Sequence, residues 1–309
     1  MTLRKGEHVI WERVYPLVLL GITLTFGLGL SAKVTEYVKD GLELAVRCVI
    51  PSSFPFMIVS DFYVSYGKPE SIAALRKLFS SLFGISPYGL GAFICGNIGG
   101  FPIGAKMCAD TYSAGGLSKE EAERLMPLSN NPSCAFVVGG VGMGIYGDLR
   151  VGILLLISMY IATVICGVIT RTKAKKVELS HINANISYDF VASVRRSGIN
   201  SIGIISFITV FSVFNGLVNM CIHHEPIAYA ISAFLEVTNA IRMYSELSGT
   251  ALELKLVFSA FALGFGGLCV GLQSAVFTSV AGLKMKRYYL TKLLEGVLTA
   301  SVFSILYMI

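Results

Sequence analysis

Two apolar stretches of this chain are interrupted where a membrane helix should be continuous. Asn97-Ile98-Gly99-Gly100-Phe101-Pro102-Ile103-Gly104-Ala105-Lys106 and Gly264-Phe265-Gly266-Gly267-Leu268-Cys269-Val270-Gly271-Leu272-Gln273 place glycine, proline and polar residues inside hydrophobic runs. Broken backbone at membrane depth leaves N–H and C=O groups unpaired, so it persists only inside protein or around a cavity. Breaks that recur in the two halves of a chain point to a transporter's solute site.

Composition supports a membrane setting. Hydrophobic residues make up 54% and charged residues 14%, against roughly 25% charged in a soluble domain, and the mean hydropathy is +0.70. The net charge of +6 gathers in short connections between apolar runs, as cytoplasmic loops require, so nucleic acid is excluded as a partner. The seven cysteines form no C-x-x-C pair and read as small buried hydrophobes. His223-His224-Glu225-Pro226 reads as an interfacial loop, so no metal is expected.

Read in order, residues 14–31 predict a retained first span rather than a signal peptide, because the run is long and no small-x-small cleavage site follows. Residues 33–47 read as an interfacial amphipathic helix. A second span runs from Cys48 to Tyr66, disturbed by Pro51 and Pro55. Residues 88–116, apolar at both ends with the Gly-Gly-Phe-Pro-Ile-Gly tip between, predict a re-entrant helical hairpin. Ser118 with Glu121 three residues on predicts a capping box opening a charged helix to Arg124. Asn130-Asn131-Pro132-Ser133 then interrupts an apolar segment reaching Tyr146, and 150–170 is an unbroken span.

Past the basic linker Arg171, Lys173, Lys175 and Lys176 the plan repeats. A span covers 199–222, an interrupted stretch 226–241 contains Glu236-Val237-Thr238-Asn239, a Gly-rich broken segment covers 256–281, and a closing span covers 290–308. The expected fold is all-α and polytopic. It divides into an N-terminal span and interfacial helix (1–47), a first repeat (48–170), a cytoplasmic linker (171–189) and a second, inverted repeat (190–309). With the N-terminus cytoplasmic, most Lys and Arg fall inside, and the two hairpins enter from opposite faces.

That order of elements is similar to the core of the concentrative nucleoside transporters and the nucleoside-recognition gate-domain group. The motifs Gly-Gly-Phe-Pro-Ile-Gly-Ala-Lys (99–106), Ser-Lys-Glu-Glu-Ala-Glu-Arg-Leu (118–125), Ser-Asn-Asn-Pro (129–132) and Gly-Phe-Gly-Gly-Leu (264–268) with Gln273 resemble the YlbJ family, also called SpoVV, of sporulation membrane proteins. The resemblance covers residues 36–309. It departs at Gly271, where the family motif carries histidine, and at Cys134, where it carries proline. It implies movement of dipicolinate, an aromatic dicarboxylate, in the membrane around the forespore.

The residues expected to bind solute are Asn97, Gly100, Phe101, Pro102, Lys106, Asn130, Asn131, Ser133, Thr238, Asn239, Gly266, Gly267 and Gln273. Helix N-termini at the breaks carry free N–H groups and positive dipole ends, and Lys106, one turn past Pro102, would add a full positive charge. Together these favour an anion over a neutral nucleoside, unless the Lys106 stem carries its charge back to the interface. Glu236, a carboxylate in an apolar run, is the candidate for a coupling proton or ion, its other reading being a cap at the second hairpin tip. Gly142-x-Gly144-x-x-Gly147 follows no strand and is no nucleotide fingerprint. No cofactor motif, catalytic constellation or ATP motor stands out, so the chain is expected not to be an enzyme. Its partners are the bilayer and a small anionic solute, and a homo-oligomer is compatible. A nucleoside carrier and a non-transporting membrane scaffold are the rival readings.

Overall fold

The computed structural model describes residues 31–66, 73–172, 188–222 and 224–308. The expected span at 14–31, apart from its last residue, and most of the linker 171–189 lie outside the described residues. Every regular element among the described residues is a helix.

The first helix, α1 (Ser31–Leu44), runs through a π-turn (Ala45–Val49) into α2 (Ile50–Tyr66). Pro51 and Pro55 each take an N–H donor out of this ladder. Helix α1 lies along the later helix α8, with Gly41 against Thr209 and Gly216 against the Tyr37 ring. The stretch read as interfacial is thus also part of the helical bundle.

After α3 (Ala73–Phe83) the chain turns by 87° into α4 (Pro87–Gly99). The expected hairpin then forms, α4 returning through Gly100-Phe101-Pro102 into α5 (Ile103–Ser113). Gly100 has φ +78°, a conformation that a side chain rarely permits, so glycine is required at this turn. Helix α6 (Lys119–Ser129) starts at Ser118, whose hydroxyl accepts the Glu121 N–H. The reciprocal half of the expected box is absent, because the Glu121 carboxylate instead accepts the Ser86 N–H at the start of α4. The charged helix is also buried. Arg124, 1% exposed, donates to the Phe83 and Gly84 carbonyls at 2.7 and 2.9 Å, closing the end of α3.

The interruption at 130–133 leads into a π-helix (Ala135–Ile145), and α7 (Leu149–Ile169) follows. The outer side of α7 exposes Ile153, Ile157, Ile161, Val164 and Val168, whereas its buried side holds Ser158 and Thr163 beside Leu155 and Met159. A helix more apolar outside than inside suits lipid rather than water.

The second half begins with α8 (Phe190–Cys221), nine residues longer at its start than the span read from sequence. Next come α9 (Glu225–Leu235) and α10 (Val237–Ser245), joined at Glu236 alone. Helices α11 (Leu252–Phe265) and α12 (Gly267–Val280) are separated at Gly266, whose φ is +79°. Helix α13 (Lys286–Tyr307) closes the chain. Leu149–Ile169, Phe190–Cys221, Leu252–Val280 and Lys286–Tyr307 are long and apolar enough to cross a membrane.

Chain order therefore gives a helix pair (α4–α5), an interrupted helix (α6 and the π-helix) and a long helix (α7), then the same three again in α9–α10, α11–α12 and α13. By this order the Gly266 break corresponds to the interruption at 130–133, and the Gly100 tip to Glu236. The two glycine-rich stretches that dominate the sequence are thus not each other's counterparts. Small residues bring the helices close: Gly142 meets Gly152, and Gly264 meets Gly296.

Candidate functional site

Three of the four interruptions line one cavity, and α12 reaches it one turn past the fourth, at Gly266. Its wall comprises Gly99, Gly100 and Phe101 from the first tip, Pro132 and Ser133 from the first break with Phe136 beyond it, and Glu236, Val237 and Thr238 from the second tip. Val270 and Gln273 of α12 complete it, with Leu44, Val49 and Ile208. The empty volume is about 540 Å³, open surroundings included. A second hollow of about 890 Å³, counted the same way, shares Ser133, Phe136 and Thr238 and adds Gly140 and Gly144 along the π-helix and Arg242 of α10.

Glu236 is the ionisable side chain among the residues lining the first cavity. Its two carboxylate oxygens accept the N–H groups of Thr238 at 2.9 Å and Asn239 at 2.7 Å. It is therefore the N-cap of α10 and sets a negative charge against the positive end of that helix. The cap geometry is present, and the same residue lines the cavity. Ser133 accepts the Phe136 N–H at 3.2 Å, and the Gln273 amide lies 3.1 Å from the Cys269 sulfur.

Of the residues expected to bind solute, Gly100, Phe101, Ser133, Thr238 and Gln273 line this cavity. Pro102 is buried at the tip, Gly266 lies against the Phe101 ring, and Gly267 against the Leu235 carbonyl. Asn239 contributes its backbone N–H to the Glu236 cap.

Three asparagines stand behind the cavity rather than in it. Asn130 and Asn131 are 0% exposed and Asn97 is 6% exposed. Asn130 accepts the Ala105 N–H and donates to Ser274 and Tyr288 at 2.9 and 2.8 Å, joining the first hairpin to α12 and α13. Asn131 donates to Asn97 at 2.9 Å and Thr163 at 3.1 Å and accepts from Lys292 at 2.7 Å. The Ser-Asn-Asn-Pro motif is thus the hub between the halves.

Lys106 does not line the cavity. Its ammonium, 3% exposed, donates to the Asp61 carboxylate, to Asp110 at 2.6 Å and to Ser60 at 3.0 Å. The other Asp61 oxygen accepts from Ser193 at 2.8 Å and Arg196 at 3.0 Å. This cluster binds α2, α5 and α8 together. All three ammonium hydrogens have acceptors within the protein.

Lys292 and Glu295 escaped the sequence reading, although an ionisable pair three residues apart inside an apolar span is itself a signal. Gly271, at the position where histidine was expected, lies under the Tyr289 ring, which occupies the space its side chain would need.

No family model matches the chain, and no solved structure matches it. The curated sporulation integral membrane protein YlbJ of Bacillus subtilis (strain 168) is 25% identical over an alignment of 310 residues, covering 86% of this chain and 75% of the relative. Together with the apolar helices, this identifies an integral membrane protein. The likeness, running over most of both chains, supports membership of the YlbJ family.

Proposed function

We propose that this protein is a secondary transporter or facilitator that passes a small solute through the cavity among its interrupted helices, and that it serves spore formation as the name of its relative suggests. One observation carries the reading: two helix tips, one helix break and the helix that follows the other break, from distant parts of the sequence, line a single cavity. Interrupted helices are costly in lipid and are the usual seat of a transporter's solute. The twice-occurring element order supports an inverted repeat. The basic connections at 171–176 and 284–287 support a cytoplasmic N-terminus.

The lining favours a flat, partly apolar solute, with Phe101 and Phe136 for its faces and Ser133, Thr238 and Gln273 for its polar edges. An aromatic dicarboxylate fits this description, and Arg242 in the adjoining hollow favours an anion on approach. Inside the cavity that anion meets Glu236, so its passage requires a proton on this carboxylate. The same carboxylate favours a second reading, a neutral nucleoside that it would hold by hydrogen bonds.

Uptake by vesicles containing only this protein separates these readings. Dipicolinate, other dicarboxylates and nucleosides are offered with and without an imposed pH gradient. Gradient-dependent dicarboxylate uptake supports the leading reading, and nucleoside uptake the second. Uptake of none of them favours a membrane scaffold.

A further inference from the structure

Helix α13 carries Lys292 and Glu295 on the face turned to α7 and the Asn130–Ser133 interruption, and neither side chain has any exposure. The ammonium donates to Glu295 Oε2 at 2.9 Å and to Asn131 Oδ1 at 2.7 Å. The Thr163 hydroxyl donates to the other Glu295 oxygen and accepts from the Asn131 amide at 3.1 Å. Oxygen atoms of Asn131, from the interruption, and of Glu295, on α13 itself, thus hold one cation that has no exposure, and Thr163 of α7 braces both. A buried ion pair of this kind is a poor way to gain stability, since apolar residues of similar volume commonly do as well or better. Its position suggests another use. Asn131 precedes Pro132 and Ser133, which line the cavity, so whatever holds Asn131 holds that wall.

We propose that the Lys292 ammonium is a tethered monovalent cation. It fills a site lined by Asn131 and Glu295 oxygens and braced by Thr163 that takes a free monovalent cation once the lysine is removed. The site fixes the interruption to α7 and α13 without drawing an ion from solution. This inference is independent of the solute and of transport itself.

The test uses the full-length protein in detergent, with thermal unfolding followed in sodium chloride and in choline chloride of equal ionic strength. Wild type should unfold at the same temperature in both. Lys292→Ala should be stabilised by sodium by several degrees, saturably, or should fold only when sodium is present. Lys292→Ala/Glu295→Gln, which removes the negative ligand and the uncompensated charge together, should lose the response. The proposal is overturned if Lys292→Ala gains no sodium response or is unfolded in both salts. It is equally overturned if wild type or the double variant responds as strongly as Lys292→Ala.

Discussion

Lys106→Met is expected to remove the folded protein rather than its affinity for an anion. The substitution leaves every residue lining the cavity in place but takes from Asp61 the ammonium that balances it, with Arg196 held only at the partly exposed edge. Removing one partner of a buried ion pair costs about 3–5 kcal/mol. The expected readout is a sharp fall in monodisperse protein and in unfolding temperature. Lys106→Met/Asp61→Asn should recover part of both, because the stranded charge goes as well. A Lys106→Met protein of normal stability with weakened dicarboxylate uptake would instead return this lysine to the solute.

Glu236→Gln is the substitution with the largest expected effect on transport. Glutamine keeps one oxygen for a capping bond but presents an NH₂ group where the second N–H of α10 needs an acceptor, so a stability loss of about 1 kcal/mol is expected. It cannot take up a proton. A proton-coupled carrier should therefore lose accumulation against a gradient while exchanging solute across the membrane. Glu236→Ala removes both caps and should lower the folded yield further. Accumulation by Glu236→Gln equal to that of wild type would leave Glu236 a cap and no more.

The sequence marked the interruptions well because glycine, proline and asparagine are conspicuous in apolar runs. Helix α7 at Leu149–Ile169 matches the span read at 150–170, and the hairpin tip lies where Gly-Gly-Phe-Pro placed it. Five of the expected site residues line the cavity for the same reason. Direction was less legible. Lys106 is one turn from Pro102, but each residue turns a helix by about 100°, and this one faces Ser60 and Asp61 of α2. The capping box was half legible: Ser118 acts locally, while the partner of Glu121 is 35 positions away. The partner of Lys292 at Asn131 lies 161 positions away, beyond any periodic pattern, so a pair visible as two charges in a span could not be given its third member. Asn130 and Asn131 were correctly placed at a break, but a lone asparagine does not reveal whether its amide turns to a solute or to the protein.

The most direct test of the account is solute uptake by a variant in which the cavity is filled. Thr238 lines both hollows, and its backbone N–H caps Glu236, so Thr238→Trp adds bulk to the cavity and keeps that bond, losing only the hydroxyl's own hydrogen bond to Glu236. In vesicles matched for folded protein, wild type should take up a solute that Thr238→Trp does not. Equal uptake by the two proteins would contradict passage through this cavity.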